Sequence, residues 1–213
     1  YCDHRNLHSF PTRRSSDLLP EDWWTRGGDK AFHAGRFLLI PWEHNIAVLS
    51  DETVLVDCGP MRMIIEAYDG SRPRTDLCLK AAKHSIGILC EIAAVRERLK
   101  APHTIFATPP TSLVACKMWE AVHAVGDTDL TPMAAVAGAI ADETANFLEE
   151  FGVSKIIVNN GGDIAIRLTE GEHINVGIRS DVNSQRVERL MSVSWNSGIG
   201  GICTSGLDRK SVV

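Results

Sequence analysis

The sequence of 213 residues predicts an α+β domain. Segments with the pattern of β-strands cluster in the first and last thirds of the chain, and segments with helical periodicity lie between them. Strands and helices do not alternate regularly, as they would in a doubly wound α/β fold. Gly198, Gly200 and Gly201 do not complete a GxGxxG dinucleotide motif, because position 203 is cysteine, so a Rossmann fold is disfavoured.

Strands are predicted where short apolar runs are bounded by polar or turn-forming residues. In chain order these runs are 37–40, 45–49, 53–57, 153–158, 164–168, 173–178 and a short run that begins GGIC at Gly200. The segment RVERLMSVSW, residues 186–195, is ambiguous between helix and strand.

Helices are predicted over 76–99 and 113–125 from the helical spacing of their apolar residues. A third helix begins at Pro132, which suits the first helical position after an N-cap at Thr131, and it ends at Gly152. Pro60 can open a fourth, short helix over the segment MRMIIEAYDG, which Gly70 would end.

The two ends of the chain read as translated sequencing adapter. The adapter end ACACGACGCTCTTCCGATCT encodes Thr-Arg-Arg-Ser-Ser-Asp, which is residues 12–17 within HSFPTRRSSDL. Its reverse complement encodes Asp-Arg-Lys-Ser-Val-Val, which is residues 208–213. We therefore assign 1–18 and 208–213 to artefact. Residues 19–207 are interpreted as a single, incomplete domain that is truncated at both ends.

Composition disfavours several classes of function. Without the adapter segments the chain holds 17 basic and 24 acidic residues, a net charge of −7, which is unlike a nucleic-acid-binding domain. No apolar run approaches the roughly 18 residues of a membrane span. The remaining cysteines lack a CxxC pair, and we interpret them as buried free thiols of a reduced compartment, which predicts a cytoplasmic protein. They are Cys58, Cys78, Cys90, Cys116 and Cys203.

The stretch NNGGD, between two predicted strands, has two interpretations. It can be a hairpin turn centred on Asn-Gly or Gly-Gly, which are both strong turn formers. It can also be a binding site in which Gly161 and Gly162 let backbone N–H groups approach an anion. Asn159, Asn160 and Asp163 would then offer polar groups to a sugar, a ring or a metal. The two interpretations are compatible, because a hairpin tip can form a site.

Ala134, Gly138 and Asp142 recur every four residues and share one face of the third predicted helix. A mid-helix glycine costs about 1 kcal/mol relative to alanine. Gly138 therefore indicates either close packing against the sheet or a ligand lying over a face without a side chain. Asp142 adds a carboxylate to that face, which favours a site. The tripeptide TSG at 204–206 can likewise bond a phosphate or cap a turn.

Together these segments resemble the ApbE-like superfamily, the flavin transferases. The likeness is strongest to an uncharacterised branch, a UPF family, marked by LTPMAAVAGAIAD, VNNGGDIAIRL, VGI and CTSG in this order. These motifs cover most of 130–206, and SDETVLVDCGPMRMIIEA fits the branch more loosely. The resemblance implies an ApbE-like fold with a mixed, largely antiparallel sheet and packed helices.

Transferases of this superfamily bind FAD and magnesium and move FMN onto a threonine or serine hydroxyl of an acceptor protein, releasing AMP. The resemblance therefore implies a flavin nucleotide, FAD or FMN, as ligand, and Mg²⁺ and a protein acceptor for the intact form. The motif positions and the two turn asparagines give the predicted cofactor-binding residues: Gly138, Asp142, Asn159, Asn160, Gly161, Gly162, Asp163, Thr204, Ser205 and Gly206.

Two departures from the transferase pattern bear on activity. Ala137 stands where transferases usually have lysine. Their metal-binding Asp and Thr belong to a later Asp-x-x-x-Thr segment, which would lie beyond Leu207, so no metal ligand is assigned here and this chain alone is expected to be inactive. The alternative is a non-catalytic protein of the same fold that binds another ligand or a protein partner. An Asp-x-x-x-Thr pair in the recovered C-terminal sequence would favour transfer, and its absence would favour the alternative.

Resequencing the locus from an independent library tests the assignment of the two ends. We expect unrelated residues in place of 1–18 and 208–213, because both segments match one oligonucleotide read on opposite strands. Recovery of the same residues from a library prepared with a different adapter would contradict the assignment.

Overall fold

The computed structural model describes residues 13–14, 42–49, 52–102, 110, 112–178, 187 and 189–203. The first elements form an antiparallel meander, and they are β1 (Arg13–Arg14), β2 (His44–Val48), β3 (Val54–Cys58) and β4 (Met61–Asp69). The strands predicted at 45–49 and 53–57 are confirmed. The strand predicted at 37–40 lies outside the described residues, and β1 lies within the segment assigned to adapter sequence.

The short helix predicted after Pro60 was wrong, because this segment forms strand β4. Its buried side chains alternate with more exposed ones along the whole strand, which is the period of two of a β-strand. Met63 and Ile65 are fully buried, and Arg62 between Met61 and Met63 is exposed. Pro60 belongs instead to the tight β3–β4 turn. The regular alternation therefore outweighs the helix-start signal of the proline.

Helices follow the meander as predicted, but the helix predicted over 76–99 is interrupted at Val95, and the helix predicted to end at Gly152 ends at Glu149. They are α1 (Thr75–Ala94), α2 (Arg96–Leu99), α3 (Leu113–Val125) and α4 (Val136–Glu149). A 3-10 turn, Pro132–Ala135, leads into α4, and its first backbone bond runs from Ala134 N–H to the Thr131 carbonyl. The Thr131 side chain makes no capping bond, so it marks the start without capping it. Within the described residues, no helix has both the length and the apolar character needed to cross a membrane.

The later strands complete the sheet and add a separate hairpin. Two strands, β6 (Lys155–Asn160) and β7 (Asp163–Leu168), continue the sheet beyond β4, and β10 (Gly201–Cys203) pairs with the outer side of β7. The sheet order is β1-β2-β3-β4-β6-β7-β10, and β5 (Arg72–Pro73) pairs with β4. Two further strands, β8 (His173–Ile178) and β9 (Arg189–Ser194), form a two-stranded sheet.

These pairings confirm the α+β class. The ambiguous segment 186–195 contains strand β9. Every strand pairing in the described part of the chain is antiparallel, so the parallel component of the expected mixed sheet is not found there.

The two faces of β7 have different partners. Ala165 belongs to the large core that the sheet forms with helices α1, α3 and α4. Ile164 and Ile166 belong to a smaller core shared with the β8–β9 hairpin. Because side chains alternate along a strand, Asp163 and Arg167 lie on the same face as Ala165 and are directed at α4. This alternation positions the polar groups of the candidate site.

His84 is a half-buried titratable group in the contact between α1 and α4. Its ring stacks on Phe147, with centroids 4.4 Å apart and planes inclined by 17°. Burial lowers the pKa of His84, while the carboxylates of Glu143, Glu91 and Glu150 act in the opposite direction. The folded chain therefore holds the imidazole in its neutral form more strongly than the unfolded chain does.

Acidification should lower the stability of the folded chain through His84. Because the folded-state pKa of His84 is lowered, its stabilising effect is present above the ordinary histidine pKa and is lost as the unfolded chain takes up a proton below it. We expect the Tm to fall between about pH 7.5 and 5.5, and His84→Phe to reduce this slope. His44→Gln replaces an exposed histidine on β2 and serves as the control. Equal slopes in wild type and His84→Phe would contradict the prediction.

Candidate functional site

The NNGGD segment forms the hairpin turn that joins β6 to β7. Asn160 pairs with Asp163, which leaves a two-residue loop of Gly161 and Gly162. Their φ angles are +65° and +110°, in the left-handed half of backbone space that glycine enters without a steric penalty. Two-residue type I′ hairpins require positive φ at both central positions. The hairpin interpretation is therefore confirmed.

Both asparagines of the turn hold the hairpin in place. The Gly162 N–H donates a 3.0 Å hydrogen bond to Asn159 Oδ1, so this amide already has a partner within the turn. Asn160, only 5% exposed, donates from Nδ2 to the Ala137 carbonyl over 3.1 Å. The hairpin tip is thus fixed to the first turn of α4. Both side chains therefore have structural roles, and the contacts with a ligand that the sequence suggests for them stay a prediction.

Gly138 faces Asp163 across a small gap between α4 and β7. A Cβ built on Gly138 would lie 3.8 Å from Asp163 Oδ2, with no other heavy atom within 4 Å apart from the glycine's local backbone and chain neighbours. This is an ordinary van der Waals separation, so a methyl group would fit. Close packing against the sheet is therefore not the reason for a glycine at this position. Gly138 leaves room for a methyl group beside the Asp163 carboxylate.

Cys203 completes this group of residues from the neighbouring strand. It is opposite Asp163 in the β10–β7 register, and its Sγ donates to Asp163 Oδ1 over 2.8 Å. This hydrogen bond, more than burial, raises the pKa of the Cys203 thiol. The expectation of buried cysteines was correct for Cys58, Cys78 and Cys90, but Cys116 is half-buried and Cys203 is exposed. The edge position of the short strand β10 explains its exposure.

Asp142 is directed away from the hairpin tip. Its Oδ1 accepts a hydrogen bond from Arg167, whose guanidinium also bonds Asn146 Oδ1 at 2.6 Å and the Gly200 carbonyl at 3.3 Å. Lys117 Nζ lies 4.0 Å from the other Asp142 oxygen. Arg167 is four residues beyond Asp163 on β7, about 13 Å along the strand. Asp142 is therefore part of an ion-pair network that joins α4 to β7 and β10.

The predicted residues are thus only partly brought together. Gly138 and the 159–163 turn converge, Asp142 is engaged one helical turn away, and Thr204–Gly206 lie outside the described residues. Cys203 and Arg167 were not among the residues predicted from the sequence. Cys203 directly precedes the TSG tripeptide, and Arg167 shares the strand face of Asp163, so motif adjacency and period-two alternation were the available signals.

Two cavities lie on either side of this region. The larger, about 260 Å³, is lined by Glu149, Arg167 and Trp195 among others, and none of the predicted site residues lines it. The smaller, about 160 Å³, adjoins the site through Ala137 and Asn160. We give more weight to the smaller cavity, because it is continuous with the residues that converge. No group of three or more metal-ligating side chains occurs in the described residues.

The fold and the site define an α+β protein in which a Gly-Gly hairpin is bonded to the start of a helix and places one carboxylate opposite a helical glycine. The chain belongs to the family described as "AbpE bacteria", whose model matches residues 46–212. The match extends into the segment assigned to adapter sequence. It confirms the predicted relation to an ApbE-related family at the level of family membership.

Two curated relatives agree with this family. The chain is 39% identical over 80 residues to a UPF0280 protein of Methanosphaera stadtmanae, covering 38% of this chain and 32% of the relative. It is 39% identical over 84 residues to a UPF0280 protein of Methanothrix thermoacetophila, covering 39% and 34%. The matched stretch therefore spans about a third of the length of these relatives.

The contact between Asp163 and Cys203 can be tested by alkylation. The thiolate is the reactive form of cysteine, and Asp163 holds the thiol in its protonated form. Asp163→Asn keeps the shape of the side chain and removes its charge. We expect iodoacetamide to label Cys203 severalfold faster in this variant at about pH 8, measured by peptide mass spectrometry.

A matched pair on α3 provides the control. Cys116 Sγ lies 3.5 Å from Glu120 Oε1, so Glu120→Gln should accelerate labelling at Cys116 and leave Cys203 unchanged. If Asp163→Asn leaves the Cys203 rate unchanged, the hydrogen bond does not control this thiol.

Proposed function

We propose that this protein binds a flavin nucleotide, FAD, in the cleft between the β6–β7 hairpin tip and the first turns of α4, and that its whole form transfers FMN to a protein hydroxyl. The observation that carries the proposal is the room for a methyl group at Gly138, within van der Waals contact distance of the Asp163 carboxylate. Family membership supports the choice of ligand class, since the family is ApbE-related.

Gly138 supplies a helix face on which a ligand can lie directly against the backbone. A glycine there costs roughly 1 kcal/mol of helix stability, and no close protein contact requires it. Gly87 in α1 also has open space around its Cβ position, so an open glycine is not a site in itself. Gly138 differs because Asp163, with Cys203 bonded to it, lies opposite.

A nucleotide whose pyrophosphate lies beside Asp163 is repelled by the negative charge of this carboxylate. A pyrophosphate beside a carboxylate is repelled by about 1 kcal/mol per charge pair at 4 Å in water, and by more in a partly buried site. The basic side chains of Lys117 and Arg167 do not offset this repulsion, because they already pair with Asp142. A cation between Asp163 and the pyrophosphate removes the repulsion.

Magnesium suits this arrangement. Mg²⁺ is commonly held by one or two carboxylates together with substrate phosphates and water, and Asp163 offers one carboxylate. When bound, the ion would neutralise charge on the pyrophosphate. Among the described residues, those at the hairpin tip therefore fit a magnesium–nucleotide pair better than a metal bound by protein groups alone.

A second candidate function is a non-catalytic one, in which the same fold binds a different ligand or a protein partner. Two observations favour it. Ala137 replaces the lysine expected from transferases, and Asp142 is held by Arg167 instead of being available in the cleft. Both observations concern catalysis more than binding. Because the two candidates differ in whether the protein binds FAD, a FAD titration separates them.

The two mid-helix glycines provide a matched test of binding. Gly138→Ala and Gly87→Ala should each raise the free energy of unfolding by up to about 1 kcal/mol through helix propensity, a Tm increase of roughly 2–4 °C. Only Gly138→Ala should weaken FAD binding, because its methyl group enters the proposed cleft. Binding would be followed by flavin fluorescence and stability by thermal melting, in this chain and in a chain with resequenced termini.

The magnesium requirement is tested with Asp163→Asn. We expect wild type to bind FAD more tightly with Mg²⁺ than without it, and the variant to lose this difference while its Tm changes little. The flavin proposal would be ruled out, and the second candidate left, if neither this chain nor the chain with resequenced termini binds FAD, with or without Mg²⁺. Equal loss of binding in both glycine variants would show that the cleft at Gly138 is not the site.

A further inference from the structure

The smaller cavity has the character of a binding site in its own right. It lies between the end of α1 and the start of α4, and the β3–β4 turn closes one side. Its volume is about 160 Å³. Its apolar wall includes Trp42, Met61, Leu89, Ile92, Met133 and Ile140.

One wall of the cavity is formed by Trp42, which lies so close to Gly59 that no side chain fits at position 59 without a shift. The indole of Trp42 lies directly against Gly59, so that a Cβ built on Gly59 would be 2.7 Å from Trp42 Cγ and 2.9 Å from Cδ1 and Cδ2. Gly59 also has a positive φ of +53°, which disfavours any side chain there. The aromatic wall is therefore held in place by the turn.

The polar groups of the lining are few and differ in what they can offer. Asn160 lies at the end nearest the hairpin tip, and its Nδ2 already donates to the Ala137 carbonyl. Arg96 lies at the exposed side, where it pairs with Glu97 of its own helix over 3.0 Å. A guanidinium has five N–H donors, so Arg96 retains donors for a second anionic or neutral acceptor. A cationic group would be repelled there.

Volume and lining together indicate the kind of group that fits. Apolar cavities of about 150 Å³ in proteins stay dry and bind benzene-sized molecules. A complete three-ring flavin does not fit in this volume. We propose that the cavity binds a single aromatic ring whose polar end is neutral or anionic and lies beside Arg96. This site does not depend on the FAD proposal.

Two small probes with opposite charge test the site. Phenylacetate and benzylamine carry the same ring, and each is titrated against the chain labelled with 5-fluorotryptophan. Trp42→Phe identifies the Trp42 resonance in the ¹⁹F NMR spectrum. We expect saturable binding of phenylacetate that shifts the Trp42 resonance, and binding of benzylamine that is weaker by roughly two- to fivefold or more, the size of an exposed ion pair.

Filling the cavity should abolish this binding. Ala137→Leu places a larger apolar side chain in the lining and should weaken phenylacetate binding at least about tenfold. Ala134→Leu changes an exposed alanine of the preceding 3-10 turn and should bind as wild type does. If Ala137→Leu does not fold, Arg96→Gln provides the second variant, because Arg96 is exposed, and it should remove the preference for phenylacetate.

Three results would overturn the proposal: no saturable binding of phenylacetate, binding unaffected by a folded Ala137→Leu chain, or equal affinity for the two probes. Failure of this proposal is distinguishable from failure of the FAD proposal. FAD binding without phenylacetate binding rejects the ring site alone, and the reverse result rejects the flavin cleft alone.

Discussion

The hydrogen bond from Asn160 Nδ2 to the Ala137 carbonyl joins the sheet to α4 next to Gly138 and at the wall of the smaller cavity. Asn160 is almost fully buried, and a buried amide that loses its partner costs on the order of 1–3 kcal/mol. The bond fixes the hairpin tip against the helix, and the alternation of β7 then places Asp163 opposite Gly138. On the other side of the same bond, Ala137 and Asn160 line the aromatic-sized cavity.

Local pattern predicted the secondary structure where the periodicity of the apolar residues and the boundary signals agreed. The helix predicted at 113–125 has the observed bounds, and the NNGGD turn forms the hairpin that its glycines indicate. The 61–69 strand was missed because Pro60 and Gly70 bracket it with helix-boundary signals. Those signals are weaker than a strict alternation supported by pairing on both sides, with β3 and β6.

The contacts of the site depend on distant parts of the chain, and the sequence motifs do not encode them directly. Cys203 and Asp163 are in contact but 40 residues apart in sequence, and Arg167 and Asp142 are 25 residues apart. A motif that contains Gly138 and Asp142 suggests a common role, yet the structure places Gly138 opposite Asp163 and engages Asp142 in an ion pair with Arg167. Residues four apart on a helix share a face, but which strand residue faces each of them is set by tertiary packing.

The β8–β9 hairpin contacts the rest of the protein through a small core, in which Ile157, Ile164 and Ile166 are the buried sheet residues. Regions with few buried apolar contacts open at a lower free energy than the global one, as hydrogen exchange reveals. Detachment of this hairpin would uncover the isoleucine face of β7 and leave the Asp163 face packed on α4. The Asp163 face of the strand is therefore separated from fluctuations on its other face, and the two faces of one strand can differ in how often they meet solvent.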